Sequence, residues 1–250
     1  MKAISIVRLL SIGLIALTAK SFADTSELQI FNAELPQPGE STLEINNNYL
    51  SRPQDKDAQS SSLFHSTFEY SYGIDNNWEI GVKLPATQLN SRWFLNGLLG
   101  EVKYLAPYSN EGFFWGAELE LGYSSSTNHA EKQLSGELAP IVGYQTSLWG
   151  ITLNAGLSRD NEADESTTTR FEPSAKFSYT LNPANHVGIE YFASAGPVTH
   201  FLPAKERTAL AFLVWDAKSS THSFNVGIGH GLTDASPEWA LKFSAELEFD

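Results

Sequence analysis

The chain has 250 residues, with 16 Lys and Arg against 29 Asp and Glu, a formal net charge of −13, and no cysteine. This acidic balance argues against a nucleic-acid partner, because phosphates require a basic surface. The lack of cysteine excludes disulfide bonds and thiol-ligated metals, so backbone pairing and packing must hold the fold.

Residues 1–23 have the pattern of a secretory signal peptide. Lys2 and Arg8 give a positive start, an apolar run follows over residues 9–19, and Ser21 and Ala23 place small residues before the cleavage point. The apolar run is too short to span a membrane as a helix, and no later run reaches about eighteen apolar residues. We therefore predict cleavage after Ala23 and export from the cytoplasm.

Residues 24–39, DTSELQIFNAELPQPG, precede the first predicted strand. We interpret this stretch as a periplasmic N-terminal segment that stands apart from the folded domain at residues 40–250. The alternative, that it enters the interior of that domain and blocks it, stays open at this point.

From residue 40 onward the chain alternates apolar and polar residues with period two, which is typical of strands. In FFWGAELELGY, residues 113–123, one row runs from Phe113 to Tyr123 and is apolar throughout, while the other row contains Glu118 and Glu120. We count twelve such stretches, at residues 43–49, 64–72, 78–84, 98–104, 113–123, 138–144, 149–157, 171–179, 187–191, 210–214, 224–228 and 239–249.

Two of these stretches are weakly patterned, so the strand number is good to about one hairpin. Pro140 cannot donate a hydrogen bond within the sixth stretch. In the tenth we assign Leu210, Phe212 and Val214 to the apolar face, and its other face is less polar than in the other stretches.

The connections between the strands alternate in length without exception. Strands 2–3, 4–5, 6–7, 8–9 and 10–11 are joined by the short turns GIDNN, APYSNEG, QTSL, LNPAN and DAKSST, whereas the other joins are longer and more polar. This sorting is typical of an up-and-down barrel with short periplasmic turns and long outer loops. A water-soluble sandwich or lipocalin-like barrel, the alternative, has no reason to sort its loops.

Aromatic residues of the apolar rows fall at the two ends of the predicted strands, as expected for rings at the membrane–water interface. Those at the short-turn end are Tyr72, Trp78, Tyr104, Trp115, Tyr144, Trp149, Tyr179 and Phe249, and those at the opposite end are Tyr49, Tyr123, Phe171 and Trp239. We therefore predict an all-β protein, a transmembrane up-and-down antiparallel β-barrel of about twelve strands in the bacterial outer membrane. Its apolar rows face lipid and its charged rows face the lumen.

Three segments carry a resemblance to a known family: NWEIGVKLP at 77–85, LLGEVKYLAP at 98–107 and GHGLTDASPEWALKFSAELEF at 229–249. They are similar to stretches of the outer-membrane β-barrel transporters of the meta-pathway of phenol degradation. The resemblance covers most of the mature chain and implies a barrel that passes small solutes. It supplies no catalytic residue, because its motifs are mainly glycines, turn residues and interfacial aromatics.

The predicted lumen is rich in carboxylates, which favour cations and repel anions in a pore. We predict a narrow channel for passive passage of small polar or aromatic solutes, and its pore-lining residues are Glu101, Lys103, Glu118, Glu120, Glu137, Lys176 and Glu190. The alternative is that Lys and Glu pair across strands and fill the lumen, leaving a plugged structural barrel without transport.

A different function, an outer-membrane lipid-modifying hydrolase, would require a Ser–His pair on the lipid face. His230 has the lipid-facing parity of its strand, and Ser236 is close in sequence. The scattered histidines have no metal-ligand spacing. We favour the channel and predict no catalytic residue, no metal and no cofactor. The expected partners are outer-membrane lipids and lipopolysaccharide, the barrel-assembly machinery and a small-molecule solute.

Overall fold

The computed structural model describes residues 28–51, 62–89, 91–109, 111–124, 133–160 and 168–249. The predicted signal peptide at 1–23 lies outside the described residues. Within those ranges, no helix is long and apolar enough to cross a membrane.

Twelve long strands make up almost all of the described chain. They are β1 (Ser41–Leu50), β2 (Leu63–Gly73), β3 (Trp78–Leu89), β4 (Gly97–Leu105), β5 (Gly112–Ser124), β6 (Gln133–Gln145), β7 (Trp149–Asp160), β8 (Thr168–Asn182), β9 (Asn185–Ser194), β10 (Thr208–Lys218), β11 (His222–Gly231) and β12 (Trp239–Phe249). Two short pieces, Arg92–Leu95 and Gly196–Pro197, extend the sheet beside β3 and β8.

Each strand pairs antiparallel with the next, and the sheet closes where β1 pairs with β12 over ten positions, from Ser41 opposite Phe249 to Leu50 opposite Ala240. Closure removes the sheet edges, which would leave backbone groups unpaired in hydrocarbon. The prediction of an up-and-down antiparallel β-barrel with twelve strands is confirmed.

The two faces of the sheet differ as the alternation predicts. On β5, Glu118 and Glu120 are buried inside the barrel, whereas Leu119 and Leu121 are 40% and 54% exposed on the outside. Large hydrophobic side chains are exposed in the same way around the whole circumference. An outer surface of this kind suits contact with lipid and not with water.

Interfacial aromatics form contacts along the short-turn end of the outer surface. The rings of Trp78 and Tyr104 are 4.7 Å apart, those of Tyr104 and Trp115 are 5.9 Å apart, and those of Tyr144 and Trp149 stack at 5.7 Å. Because β3, β4 and β5 are neighbours, the predicted belt is a continuous row of rings on that part of the barrel.

The face assigned to the tenth predicted strand is wrong. On β10, Leu210, Phe212 and Val214 are 0%, 1% and 5% exposed and face the lumen, while Leu213 and Trp215 are exposed on the outside. Both rows of β10 are apolar over residues 210–215, so period two within this stretch could not choose between them. The register with β9, which sets Leu213 opposite the exposed Ile189, decides the side.

Of the two positions that the sequence leaves open for residues 24–39, the described part, which begins at Leu28, takes the one inside the barrel. The chain turns at Gly39, where φ is +89°, and the amide of Gly39 donates to the carbonyl of Gly73. A Cβ on Gly73 would lie 2.4 Å from the carbonyl oxygen of Gln37, so the glycine allows the chain to pass. From this turn, residues 28–35 run inside the barrel; we call them the N-terminal segment.

Candidate functional site: the barrel lumen

One side of the lumen is lined by carboxylates that surround the ammonium group of Lys83. Lys83 is completely buried, and its Nζ lies 2.6–3.5 Å from a carboxylate oxygen on each of four glutamates. We call Glu69, Glu79, Glu101, Glu118 and Glu120 the carboxylate wall; all five are less than a tenth exposed.

Strand register explains this grouping. Glu69 pairs with Lys83 across β2 and β3, but Glu101 pairs with Glu120 across β4 and β5. Like charges placed directly opposite destabilise a sheet, so the ammonium of Lys83 compensates for them. Gly81 leaves the space that the Glu101 side chain fills, since a Cβ there would lie 2.1 Å from Glu101 Oε1.

A second charged cluster lies across the barrel. The carboxylate of Glu190 contacts Lys176 Nζ at 3.0 Å and Lys242 Nζ at 2.5 Å. Asp216 accepts hydrogen bonds from Lys176 at 2.8 Å and from Asn225 Nδ2 at 2.6 Å. Two acidic and two basic side chains meet here, so this cluster balances its own charge, in contrast to the carboxylate wall.

An apolar surface lies inside the barrel beside the second cluster. Phe192, Leu210, Phe212 and Val214 are each at most 5% exposed, and the rings of Phe192 and Phe212 meet edge to face at 5.7 Å. We call these four residues the apolar wall. Leu28 of the N-terminal segment packs against this wall and is itself 3% exposed.

Four lumen lysines bind the N-terminal segment. Lys242 donates to the Leu28 carbonyl at 2.9 Å, and Lys83 donates to Gln29 Oε1 at 3.3 Å. Lys103 donates to the Glu34 carbonyl at 3.0 Å, while Lys218 forms an ion pair with the Glu34 carboxylate at 3.4 Å.

Two neutral side chains complete the attachment. Asn154 accepts from the Phe31 amide at 3.0 Å and donates to the Phe31 carbonyl at 2.8 Å, as a neighbouring strand would. The Tyr108 hydroxyl donates to the Ala33 carbonyl at 3.2 Å. Burial, and then the nearby Glu34 carboxylate, raise the pKa of Tyr108, which keeps this donor protonated.

A cavity of about 630 Å³ surrounds the N-terminal segment in the half of the lumen that opens at the short turns. Glu69, Glu79 and Glu118 of the carboxylate wall line it, together with Lys176 and Glu190 of the second cluster. The lumen therefore holds space beside the segment, although residues 28–31 fill the gap between the carboxylate wall and the apolar wall.

The residues predicted to line the pore all lie in strands of this interior, but they do not form one group. Glu101, Glu118 and Glu120 belong to the carboxylate wall, whereas Lys176 and Glu190 belong to the second cluster. Lys103 contacts the N-terminal segment, and Glu137 lies on β6 opposite Glu120, with its carboxylate beside Gly156.

Sequence reasoning missed the central position of Lys83 and the whole apolar wall. The signal for the apolar wall was the low polarity of both faces of β10.

The pair considered for a lipid hydrolase does not form a catalytic arrangement. Ser236 is completely buried, and its hydroxyl donates to the carbonyl of Ala209 and accepts from its amide, both at 2.8 Å. His230 is exposed on the outer surface with its ring 4.8 Å from that of Trp239. A serine whose hydroxyl is held by the backbone in this way stabilises a turn and is not available to attack a lipid.

The fold and the interior together define a class: a closed outer-membrane-type β-barrel with a charged lumen. Among solved structures, the chain is similar to the KdgM porin in complex with disordered oligogalacturonate, with a TM-score of 0.57 and 9% identity over 84% of this chain and 99% of that one. The NanC porin matches with a TM-score of 0.53 and 11% identity over 83% and 99% of the two chains.

The translocator domain of the autotransporter NalP from Neisseria meningitidis also matches, with a TM-score of 0.51 and 10% identity over 86% and 90% of the two chains. No protein-family model matches the sequence, and no curated protein matches it. At identities this low, the likeness is one of fold.

Proposed function

We propose that this protein is an outer-membrane channel with a narrow, acidic lumen for the passive passage of small polar or aromatic solutes. The predicted pore-lining residues, from Glu101 to Glu190, belong to this proposal as the path of the solute. We further propose that the N-terminal segment closes the path in the state described above.

The observation that carries the proposal is the manner in which the lumen is filled. The strands contribute polar and charged side chains that leave a cavity of about 630 Å³, and the remaining gap is occupied by residues 28–31. These residues are held by hydrogen bonds, by apolar packing of Leu28 and Ile30, and by the Lys83 ammonium over the Phe31 ring, and all of these contacts can be broken without opening the barrel. A barrel built to be solid would fill its interior with side chains of its own strands.

Because the chain contains no cysteine, a reversible tether can test the proposal. Phe31→Cys and Asn154→Cys, introduced together and joined by a short crosslinker that a reductant cleaves, would fix the segment to β7. We expect the uncrosslinked double variant to open in planar lipid bilayers, the crosslinked protein to lose most of its conductance, and reduction to restore it.

The matched control joins two positions of the wall. Ser174 Oγ donates to Asn154 Oδ1 at 3.2 Å, so Asn154→Cys with Ser174→Cys tethers β7 to β8 without the segment. Crosslinking these two cysteines should leave the conductance the same as in the uncrosslinked form of this control variant. If neither the wild type nor the reduced variants open at any voltage, the protein is a plugged structural barrel; if the 31–154 tether has no effect on an open channel, the segment is not its closure.

The finer identity of the protein also belongs to the proposal. Membership of the phenol meta-pathway transporter family rests on the resemblance of three segments. Placement in the outer membrane rests on the apolar outer surface and the aromatic belt. Lipopolysaccharide and the barrel-assembly machinery are proposed partners on the same grounds.

A further inference from the structure

The carboxylate wall has fewer hydrogen-bond donors than it needs. An ammonium group carries three N–H protons. Those of Lys83 are directed to Glu120 at 2.6 Å, to Glu118 at 3.3 Å and to Gln29 of the N-terminal segment at 3.3 Å. One proton of the ammonium therefore goes to the segment instead of to a carboxylate.

The remaining carboxylates are left with acceptors that receive no proton. Oε2 of Glu69 and Oε2 of Glu101 are shielded from water and accept no hydrogen bond from any described residue, although they lie 3.5 and 3.1 Å from Lys83 Nζ. The single hydroxyl proton of Ser71 is shared between the Oε1 atoms of the same two residues, at 3.4 and 3.3 Å. Both carboxylates share the one Lys83 ammonium with Glu118 and Glu120. Buried carboxylates that outnumber their cation are costly, so this wall is suited to receive a further cation.

Glu79 extends this acceptor set toward the cavity. Oxygens of Glu69, Glu79 and Glu101 lie within 4.8 Å of one another, and all three side chains are less than a tenth exposed. Glu69 and Glu79 line the cavity of about 630 Å³, so a small molecule entering from the short-turn end meets these carboxylates.

The apolar wall lies across the gap from the carboxylate wall, and residues 28–31 fill this gap. Leu28 packs against the apolar wall, and the next residue, Gln29, contacts Lys83 in the carboxylate wall. Two consecutive residues therefore reach both walls, which means that a body the size of a dipeptide spans the gap. A solute that fits must bring an apolar part for one wall and N–H donors with positive charge for the other.

We propose that this gap is a binding site for organic cations, a primary ammonium group carried on an apolar or aromatic body, and that residues 28–31 occupy the site until such a solute displaces them. The ammonium donates to Glu69, Glu79 and Glu101, and the body packs on Phe212 and its neighbours. An inorganic cation satisfies the carboxylates but leaves the apolar wall without a partner. The proposal names the solute class of the channel proposed above and rests on it only for transport, because binding is measured separately.

Calorimetric titration of the full mature protein in detergent tests the site. The probes are 2-phenylethylammonium, methylammonium, which lacks the apolar body, and 3-phenylpropionate, which has the body but the opposite charge. We expect 2-phenylethylammonium to bind most tightly, methylammonium to bind at least tenfold more weakly, and 3-phenylpropionate not to bind.

Three variants separate the contributions of the two walls. Glu101→Gln removes one charge with little change of shape, and we expect it to weaken the binding of both ammonium ions about tenfold. Phe212→Leu should weaken 2-phenylethylammonium alone. Glu248→Gln, which removes the carboxylate 4.0 Å from Lys218 Nζ, is the matched control and should leave the binding of both ammonium ions unchanged. Should Glu101→Gln fail to fold, Glu79→Gln replaces it with the same expectation.

The crosslinked 31–154 protein adds a test of position. With the segment fixed in the gap, 2-phenylethylammonium should no longer bind, and cleavage of the crosslinker should restore binding. The proposal is overturned if 3-phenylpropionate binds as well as the ammonium ions, or if neither carboxamide variant weakens them. If the probes bind as expected but the protein conducts no current, the channel is contradicted and the binding site is supported. If the protein conducts but the three probes bind equally well, the binding site is contradicted and the channel is supported.

Discussion

Individual charged residues in this lumen act in groups. Lys83 is the ammonium that four buried carboxylates share, and it comes from β3, between the strands that carry them. By contrast, Lys218 is 42% exposed and pairs with the exposed Glu34 near the short-turn end of the lumen. The same residue type therefore has two different energetic roles, because burial decides how strongly a charge depends on its partner.

Lys83→Met tests this difference at the residue scale. Removing the ammonium leaves several buried carboxylates uncompensated, and the loss of one partner from a buried charge pair costs about 3–5 kcal/mol. We expect the free energy of unfolding, measured by urea titration of the protein in lipid vesicles, to fall by roughly that amount. Lys218→Met is the control and should cost less than about 1 kcal/mol. Equal losses in the two variants would contradict the assigned role of Lys83.

Among the elements, β10 differs most from a simple barrel strand. Over residues 210–215 its inner row carries Leu210, Phe212 and Val214 and its outer row carries Leu213 and Trp215, so neither row is polar along this stretch. The inner row provides the surface on which Leu28 rests. This apolar stretch of β10 thus contributes to the outer surface of the barrel on one side and holds Leu28 of the N-terminal segment on the other.

Leu213→Arg tests the orientation of β10. Leu213 is 67% exposed on the outside and lies opposite Ile189 and Ile228. An arginine facing lipid near the middle of a membrane costs about 2–4 kcal/mol, so we expect a loss of that order in the free energy of unfolding in lipid vesicles. Leu213→Met should be nearly neutral. If Leu213 faced the acidic lumen, arginine would be tolerated, and unchanged stability would refute the orientation.

The N-terminal segment is the second element with a role beyond the sheet. It reaches both sides of the lumen through Leu28 and Gln29 and is held near the short-turn end by Glu34. Within the described residues, 28–35 belong to no strand of the sheet. The position of the N-terminal segment therefore depends on side chains of the barrel wall.

For the whole molecule, closure between β1 and β12 is the decisive contact. Ten paired positions join the first and last strands, and Ile45 lies within this seam, opposite Ala245 on one side and Phe68 on the other. Without the seam, two strand edges would be exposed to hydrocarbon. Closure also creates the lumen, so the seam underlies both the stability and the proposed function.

Ile45→Pro tests closure. Proline removes a backbone donor from a strand that is paired on both sides, so we expect the compact, heat-modifiable band of the folded barrel to disappear from unboiled samples in gel electrophoresis. Ile45→Val keeps the donor and should retain the band. A compact band for the proline variant would indicate that the barrel does not depend on this seam.

The alternation of side chains and the lengths of the loops were enough to determine the barrel from the sequence. Period two sets the two faces of a strand, as Glu118 and Leu119 illustrate, and this pattern is local to each strand. The alternation of short turns and long loops predicted that each strand pairs with the next one along the chain. Loop length, like side-chain alternation, can be read locally from the sequence. Where both rows of a stretch are apolar, as over residues 210–215 of β10, the pattern within that stretch does not indicate which row faces lipid.

The arrangement inside the lumen was decided by the tertiary structure alone. Lys83 meets Glu120 across an intervening strand, Lys242 meets Glu190 from β12 to β9, and Leu28 reaches the apolar wall from outside the sheet. Such contacts depend on the closure and curvature of the barrel, which bring together residues that are distant in sequence. Period and spacing describe only residues that are neighbours along a strand. The sequence alone therefore left open whether the N-terminal segment lies in the periplasm or inside the barrel.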